Sequence, residues 1–154
     1  MKKTIKTEKA LAAFRVLNTA KYNKMTDEDK IKVWKIARAL KPVADKFDDD
    51  SKDAAEKFKP TEDFAERLQK AQEFERKQKS GEDMTDSPMG AAEYGEFIKE
   101  FQQYNKTVAD AIKEFADKEV ELEFDVLTEE SFGKLMASNE WDMSQVMAIS
   151  EIVL

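Results

Sequence analysis

Two apolar seams decide most of what this chain can fold into. Val33, Ile36, Leu40, Val43 and Phe47 recur at spacings of three, four, three and four. Phe97, Phe101, Tyr104, Val108, Ala111 and Phe115 repeat that rhythm, and Ile112 widens the second stripe. Side chains so spaced fall on one face of an α-helix, and a seam of this length needs other apolar surface to cover it. The spacing predicts helices over 26–58 and 95–118, packed as an antiparallel hairpin. Val33, Ile36, Leu40, Val43 and Phe47 should then face Phe97, Phe101, Tyr104, Val108 and Phe115. A helix of about 30 residues is roughly 45 Å long, so an elongated molecule is expected.

The start of the first seam is marked by Thr26, whose hydroxyl can cap, and by Asp27, Glu28 and Asp29 in the first turn, where the helix dipole favours acids. Pro42 lies inside the seam and should kink the helix or start a new one, because it removes a backbone donor. Lys59-Pro60 is the stronger break. Thr61-Glu62-Asp63 restarts a helix with Phe64, Leu68, Ala71 and Phe74 on one face. Upstream, Thr7 can cap a helix whose stripe is Ala10, Leu11, Ala13, Phe14, Val16 and Leu17, ending near Tyr22-Asn23. Ser80 to Gly95 is the long loop, expected to be flexible, with turn chemistry at Ser80-Gly81, Asp86-Ser87-Pro88 and Gly90. Each half of the chain is too thin to bury a core alone, so a single helical domain over 1–154 is expected.

Beyond residue 118 the period drops to two. Val120, Leu122, Phe124 and Val126 alternate with Glu119, Glu121, Glu123 and Asp125, the pattern of a strand with one apolar and one acidic face. A lone strand leaves its backbone unpaired, and the candidate partner is the Lys-rich segment 2–7, where Lys opposite Glu is favourable. The termini should meet in a small two-stranded sheet. Thr128-Glu129-Glu130 opens a short helix carrying Phe132, Leu135 and Met136. Asp142-Met143-Ser144-Gln145 is a capping box for a last one, with Trp141 placed to staple its start. The fold class is therefore mainly α, with short helices at the C-terminal end.

Composition narrows the chemistry. The chain is 38% charged and 41% hydrophobic, and its ten Phe and two Trp are too many for a disordered acidic chain. It has no Cys and no His, which excludes disulfides, thiolate chemistry, the usual proton shuttle and the commonest zinc ligand. Four Gly leave no material for a glycine-rich phosphate loop. Met1-Lys2-Lys3 is followed by polar Thr4 to Lys9, from which no apolar signal core can be built, and no stretch is apolar enough to span a membrane. A cytoplasmic protein is expected.

Charge is segregated. Residues 1–41 hold ten Lys and two Arg against four acids, a net +8, so the remainder carries -15 of the total -7. Basic early helices lying against acidic later ones, within or between chains, account for this. A nucleic-acid or phosphate site is the competing reading, disfavoured for a duplex because the acidic remainder repels it.

The order of features resembles a family of small phage and prophage proteins of unknown function. The likeness rests on several segments. These are Glu8-Lys9-Ala10-Leu11 after a Lys-rich strand, Ala39 to Pro42 (Ala-Leu-Lys-Pro) and the Phe101 to Lys106 helix segment. The strand Glu119 to Glu123 (Glu-Val-Glu-Leu-Glu) and Leu127-Thr128 complete it. The resemblance covers most of the chain through pattern rather than invariant motifs. It implies a phage gene product of late or accessory type and offers no catalytic residues to transfer.

No catalytic constellation emerges, and neither metal nor cofactor is expected. Asp48-Asp49-Asp50-Ser51-Lys52-Asp53 lacks the spacing of a calcium loop and reads as a solvated acidic helix face. Ser131 and Lys134 have the spacing of a Ser-Lys nucleophile pair and nothing else of it. Trp34 and Arg38, four apart on one helical face, offer a stacking ring and a guanidinium, what an adenine nucleotide or phosphate needs. The alternative makes Trp34 a core or interface anchor and pairs Arg38 with an acid on a neighbouring helix. If there is a ligand site, Arg15, Trp34 and Arg38 are its candidates, at a homo-oligomer interface anchored by Trp34 or by the helix Met143 to Leu154.

Two functional classes follow. One is a phage-encoded, non-enzymatic, oligomeric binding protein that counters host defence by sequestering a small nucleotide signal or a defence protein. The other is a virion-assembly protein, a scaffold or chaperone using the same hairpin to hold another phage protein. A DNA-binding regulator ranks third, for want of a basic recognition helix.

Overall fold

The computed structural model describes residues 1–85 and 87–154; Asp86, part of the expected Asp86-Ser87-Pro88 turn, lies outside the described residues. The fold is mainly α. Among the described residues the chain forms β1 (Lys2–Lys6), α1 (Thr7–Asn18), α2 (Asp27–Lys57), α3 (Phe64–Ser80), α4 (Ala91–Asp117), β2 (Glu119–Glu123), α5 (Glu129–Ala137) and α6 (Met143–Val153). The first long helix and the break at Lys59-Pro60 lie where the sequence places them, whereas α4 starts at Ala91, four residues before the expected 95, so the connection between α3 and α4 covers 81–90 and not 80–95. Gly81 closes α3 in the left-handed conformation (φ 72°), which suits glycine there.

The chain packs as two compact units, residues 1–50 with 113–154, and residues 51–112. The division falls inside α2 and α4, not at the loop. The chain therefore leaves the first unit along α2 and returns to it along α4.

In the first unit β1 and β2 pair antiparallel, from Lys2 opposite Glu123 to Lys6 opposite Glu119. Lys2 bridges Glu121 at 3.0 Å. Lys3 reaches past the sheet and donates to the carbonyls of Glu151 and Ile152 at 3.3 and 3.0 Å, capping the C-terminus of α6 with positive charge. The core beneath gathers Ala10, Ala13 and Leu17 of α1, Val33, Ile36 and Leu40 of α2, Phe132 and Leu135 of α5, and Ile149, Ile152 and Val153 of α6. The linker between α1 and α2 is pinned by the end of α5. Asn139 accepts from the Lys21 N–H at 2.7 Å and donates to the Lys21 carbonyl at 2.9 Å. The Ser138 hydroxyl accepts from the Lys24 N–H at 3.0 Å.

In the second unit Phe64 of α3 meets Phe97, Phe101 and Tyr104 of α4 at ring separations of 5.6, 6.1 and 4.8 Å. Arg67 lies over Phe97 and bridges Glu100 at 2.8 Å. Tyr104 donates its hydroxyl to the Ala55 carbonyl at 2.7 Å, tying α4 to the last turns of α2. Phe74 stacks on Tyr94 at 4.4 Å, and Tyr94 donates to the Glu75 carboxylate.

Two local expectations are corrected, and a third, at Pro42, is narrowed. The seams of α2 and α4 enter separate cores. Val33, Ile36, Leu40 and Val43 pack with α1, α5 and α6, whereas Phe97, Phe101 and Tyr104 pack against α3. Each seam is covered, but by a shorter helix that supplies complementary apolar side chains closer at hand. Phe47, Val108 and Phe115 are half-buried. Thr7 does not cap α1: Lys6 holds the N-cap position, and the Thr7 hydroxyl donates instead to the Lys118 carbonyl. No new helix starts at Pro42; α2 runs continuously through it. Pro42 sits on the exposed side of α2, where water can take the place of its missing donor.

Candidate functional site

The periodicity that buries one side of α2 determines what the other side shows. Val33, Ile36, Leu40 and Ala44 are buried, so the opposite sector carries Ile31, Trp34, Arg38 and Pro42, which lie within about 80° of one another at 3.6 residues per turn. Both large apolar members are open to solvent: Ile31 is 54% exposed and Trp34 56%. Arg38 places its guanidinium over the Trp34 indole, 5.2 Å from the ring centroid.

The electrostatics of this face are one-sided. From Lys30 to Ala44 the helix holds Lys30, Lys32, Lys35, Arg38 and Lys41 and no acid. Lys30 and Lys41 are drawn off by Asp27 (3.7 Å) and Asp45 (2.7 Å) at the two ends of the run. Between them Lys32, Lys35 and Arg38 make no ion pair with any described residue. The contrast with other arginines is direct: Arg67 is held by Glu100 at 2.8 Å and Arg76 by Glu82 at 3.4 Å. Arg38 is therefore a guanidinium whose donors are free while its face is fixed by an aromatic ring, in a chain of net charge -7.

Of the three candidate ligand-binding residues, the structure brings Trp34 and Arg38 together. Arg15 is exposed on α1, and no interaction among the described residues joins it to them. The sequence reading did not single out Ile31, Lys32 or Lys35, and it treated Pro42 only as a helix kink or start. The acid-free run from Lys30 to Ala44 is the signal that points to them.

A second exposed apolar pair lies on α6. Met143 is 70% exposed and Met147 62%, one turn apart, on the side opposite Ile149, Ile152 and Val153. Trp141 and Val146, the positions that staple the start of α6, both pack against the first core.

The remaining features are weaker. A depression of about 500 Å³ lies over Glu56, Lys59, Pro60, Thr61 and Glu62; its lining is mostly polar and includes the Lys59–Glu56 ion pair at 2.7 Å. Groups moved from their ordinary ionisation lie away from the outer face of α2. The hydrogen bond from Thr61 holds Asp63 low, and that from Thr85 holds Asp83 low. Lys59 is held up by its bond to Glu56, Tyr22 by burial, and Tyr94 is pushed up to about 12 by the bond it donates to Glu75. No cluster of three or more carboxylates among the described residues is arranged to hold a metal ion. No helix among the described residues is long and apolar enough to cross a membrane. Comparison with family models, curated proteins and solved structures gives no match.

Proposed function

We propose that the protein is a phage-encoded, cytoplasmic, non-enzymatic binding protein that associates with itself and counters host defence by sequestering a small nucleotide signal or a defence protein. The observation that carries this reading is Arg38, stacked at 5.2 Å on an exposed Trp34 with no carboxylate partner among the described residues. An indole face stacks on a purine ring, and an unengaged guanidinium donates to phosphate oxygens in a bidentate grip. Lys35, about 60° from Arg38 around the axis and exposed, adds positive charge on the same side of the helix. The phage setting rests on the resemblance of the Lys-rich strand, the Ala39 to Pro42 helix segment and the Glu119 to Glu123 strand to phage proteins.

A thermal-shift screen with mono-, di- and cyclic nucleotides tests the ligand. A ligand at 100 times its dissociation constant adds about 2.7 kcal/mol to stability, a rise of several degrees. Trp34→Ala and Arg38→Ala should each abolish the shift, and Arg15→Ala tests whether the third candidate contributes. If no nucleotide shifts the wild type, the nucleotide reading fails.

The exposed Met143–Met147 pair favours a second reading, a virion-assembly scaffold or chaperone, because thioether side chains adapt to varied apolar partners. Stable co-purification with a capsid or tail protein, lost on Met143→Asp with Met147→Asp, decides for it.

A further inference from the structure

The outer face of α2 does not end at Pro42. Continuing along the same sector, Asp45, Asp48 and Asp49 follow at helical spacing, and all three are exposed. Together with Lys35 and Arg38 they lie within about 140° around the axis, with Asp48 and Lys35 at its two edges. One exposed stripe over 31–49, all inside the first unit, is thus basic and apolar in its first half and acidic in its second. Asp45 is engaged by Lys41 at 2.7 Å. Asp48 and Asp49 make no ion pair with any described residue, and neither do Lys35 and Arg38.

A stripe that is positive at one end and negative at the other is complementary to itself when turned around. We propose that this face pairs antiparallel with the same face of a second copy of the chain, about a two-fold axis near Pro42. The pairing rests on the self-association stated above and specifies where it occurs. With Pro42 opposite the partner's Pro42, Lys35 of each copy stands at the level of Asp48 and Asp49 of the other, and Arg38 at the level of Asp45 and of Lys46, which Asp50 engages at 2.5 Å. Trp34 comes to the same acidic end, where its indole N–H, which has no acceptor among the described residues, meets carboxylates. Ile31, Trp34 and Pro42 lose water in the contact. A parallel arrangement would set Lys35 and Arg38 against their own copies and is repelled. The arrangement is isologous, so it closes at two copies.

Charge exchange tests it. Lys35→Glu with Arg38→Glu makes the whole stripe acidic, and Asp48→Lys with Asp49→Lys makes it basic. All four sites are exposed, and circular dichroism checks that each variant is folded. Sedimentation of the wild type at about 100 μM should give a mass near twice 17.7 kDa. Each variant alone should associate at least tenfold more weakly, and an equimolar mixture of the two should recover dimers. Pro42→Cys should crosslink to its own copy on oxidation. Ile31→Cys should not, because the two sites then stand about 30 Å apart along the axis, beyond the roughly 7 Å reach of a disulfide. A monomeric wild type, variants that dimerise like the wild type, a mixture that stays monomeric, or crosslinking at 31 rather than 42 overturns the proposal. The Asp48→Lys, Asp49→Lys variant keeps Trp34 and Arg38, so its nucleotide shift reports separately on the ligand reading.

Discussion

Thr7 donates both its backbone N–H and its hydroxyl to a single acceptor, the Lys118 carbonyl, each at 2.8 Å. This bond joins the junction of β1 and α1 to the junction of α4 and β2. It fixes where the two strands begin to pair, and so sets the register that puts Ile5 opposite Val120. Thr7→Val keeps the shape and removes one bond, which should cost about 1 kcal/mol and lower the melting temperature by roughly 2–4 °C. Deleting residues 1–7 removes the strand as well, leaving β2 unpaired and Phe124 less covered. A markedly larger drop in the melting curve is expected, and an unchanged curve would show the sheet to be dispensable.

The two cores give parallel predictions. Leu135 is fully buried in the first unit and Phe97 in the second, where it meets Phe64 and Phe101. Leu135→Ala should cost about 2–5 kcal/mol and Phe97→Ala about 3–5 kcal/mol. Denaturant unfolding measures both.

The start of α6 rests on a reciprocal pair. Asp142 accepts from the Gln145 N–H at 2.8 Å, and the Gln145 side chain accepts from the Asp142 N–H at 3.0 Å. Asp142→Ala breaks this and should cost about 1 kcal/mol, with Thr128→Ala costing a similar amount at α5, where Thr128 accepts from the Ser131 N–H. Equilibrium unfolding of the two variants checks the caps independently.

Much of this was legible because it is local. The capping box, the alternation of Val120 and Leu122 with glutamates, and the break at Lys59-Pro60 are all decided within a few residues. What was not legible depends on distant partners. A seam such as Phe97–Phe101–Tyr104 states that it must be covered, but Phe64 and Val33 are both apolar and the sequence does not rank them. Thr7 has the chemistry of a cap, and only the approach of Lys118 diverts its hydroxyl. For the candidate site, the spacing of Trp34 and Arg38 was enough to predict that they meet. That Arg38 meets no acid among the described residues depends on which helices come near.

Tyr94 predicts a pH effect with a definite sign. Its hydroxyl donates to Glu75, and that bond, with burial second, raises its ionisation to about 12. A group raised above its unfolded value, about 10 for Tyr, contributes fully below pH 10 and loses that contribution as pH rises from about 10 to 12. Tyr94 is only half-buried, so water screens the pair and the effect on stability is small, and the titration itself is the better measure. Phenolate absorbance should show one of the three tyrosines ionising near pH 12. Tyr94→Phe should remove that step and leave the others. A wild type with no step above the ordinary tyrosine range refutes the Glu75 bond.

The two faces of α2 make the sharpest comparison. Leu40 is fully buried among α1, α5 and α6, whereas Trp34 is 56% exposed only two turns away along the same helix. Leu40→Ala removes packed volume and should cost about 2–5 kcal/mol. Trp34→Ala removes a larger side chain from a surface that is already wet, and Arg38→Gln removes a charge with no ion pair to break. Each should therefore change stability by no more than about 0.5 kcal/mol in the monomer, measured under dilute conditions that suppress association. The same two substitutions should weaken whatever the face binds. A Trp34→Ala variant that unfolds as readily as Leu40→Ala would make Trp34 a core residue and remove the outer face of α2 as a binding surface.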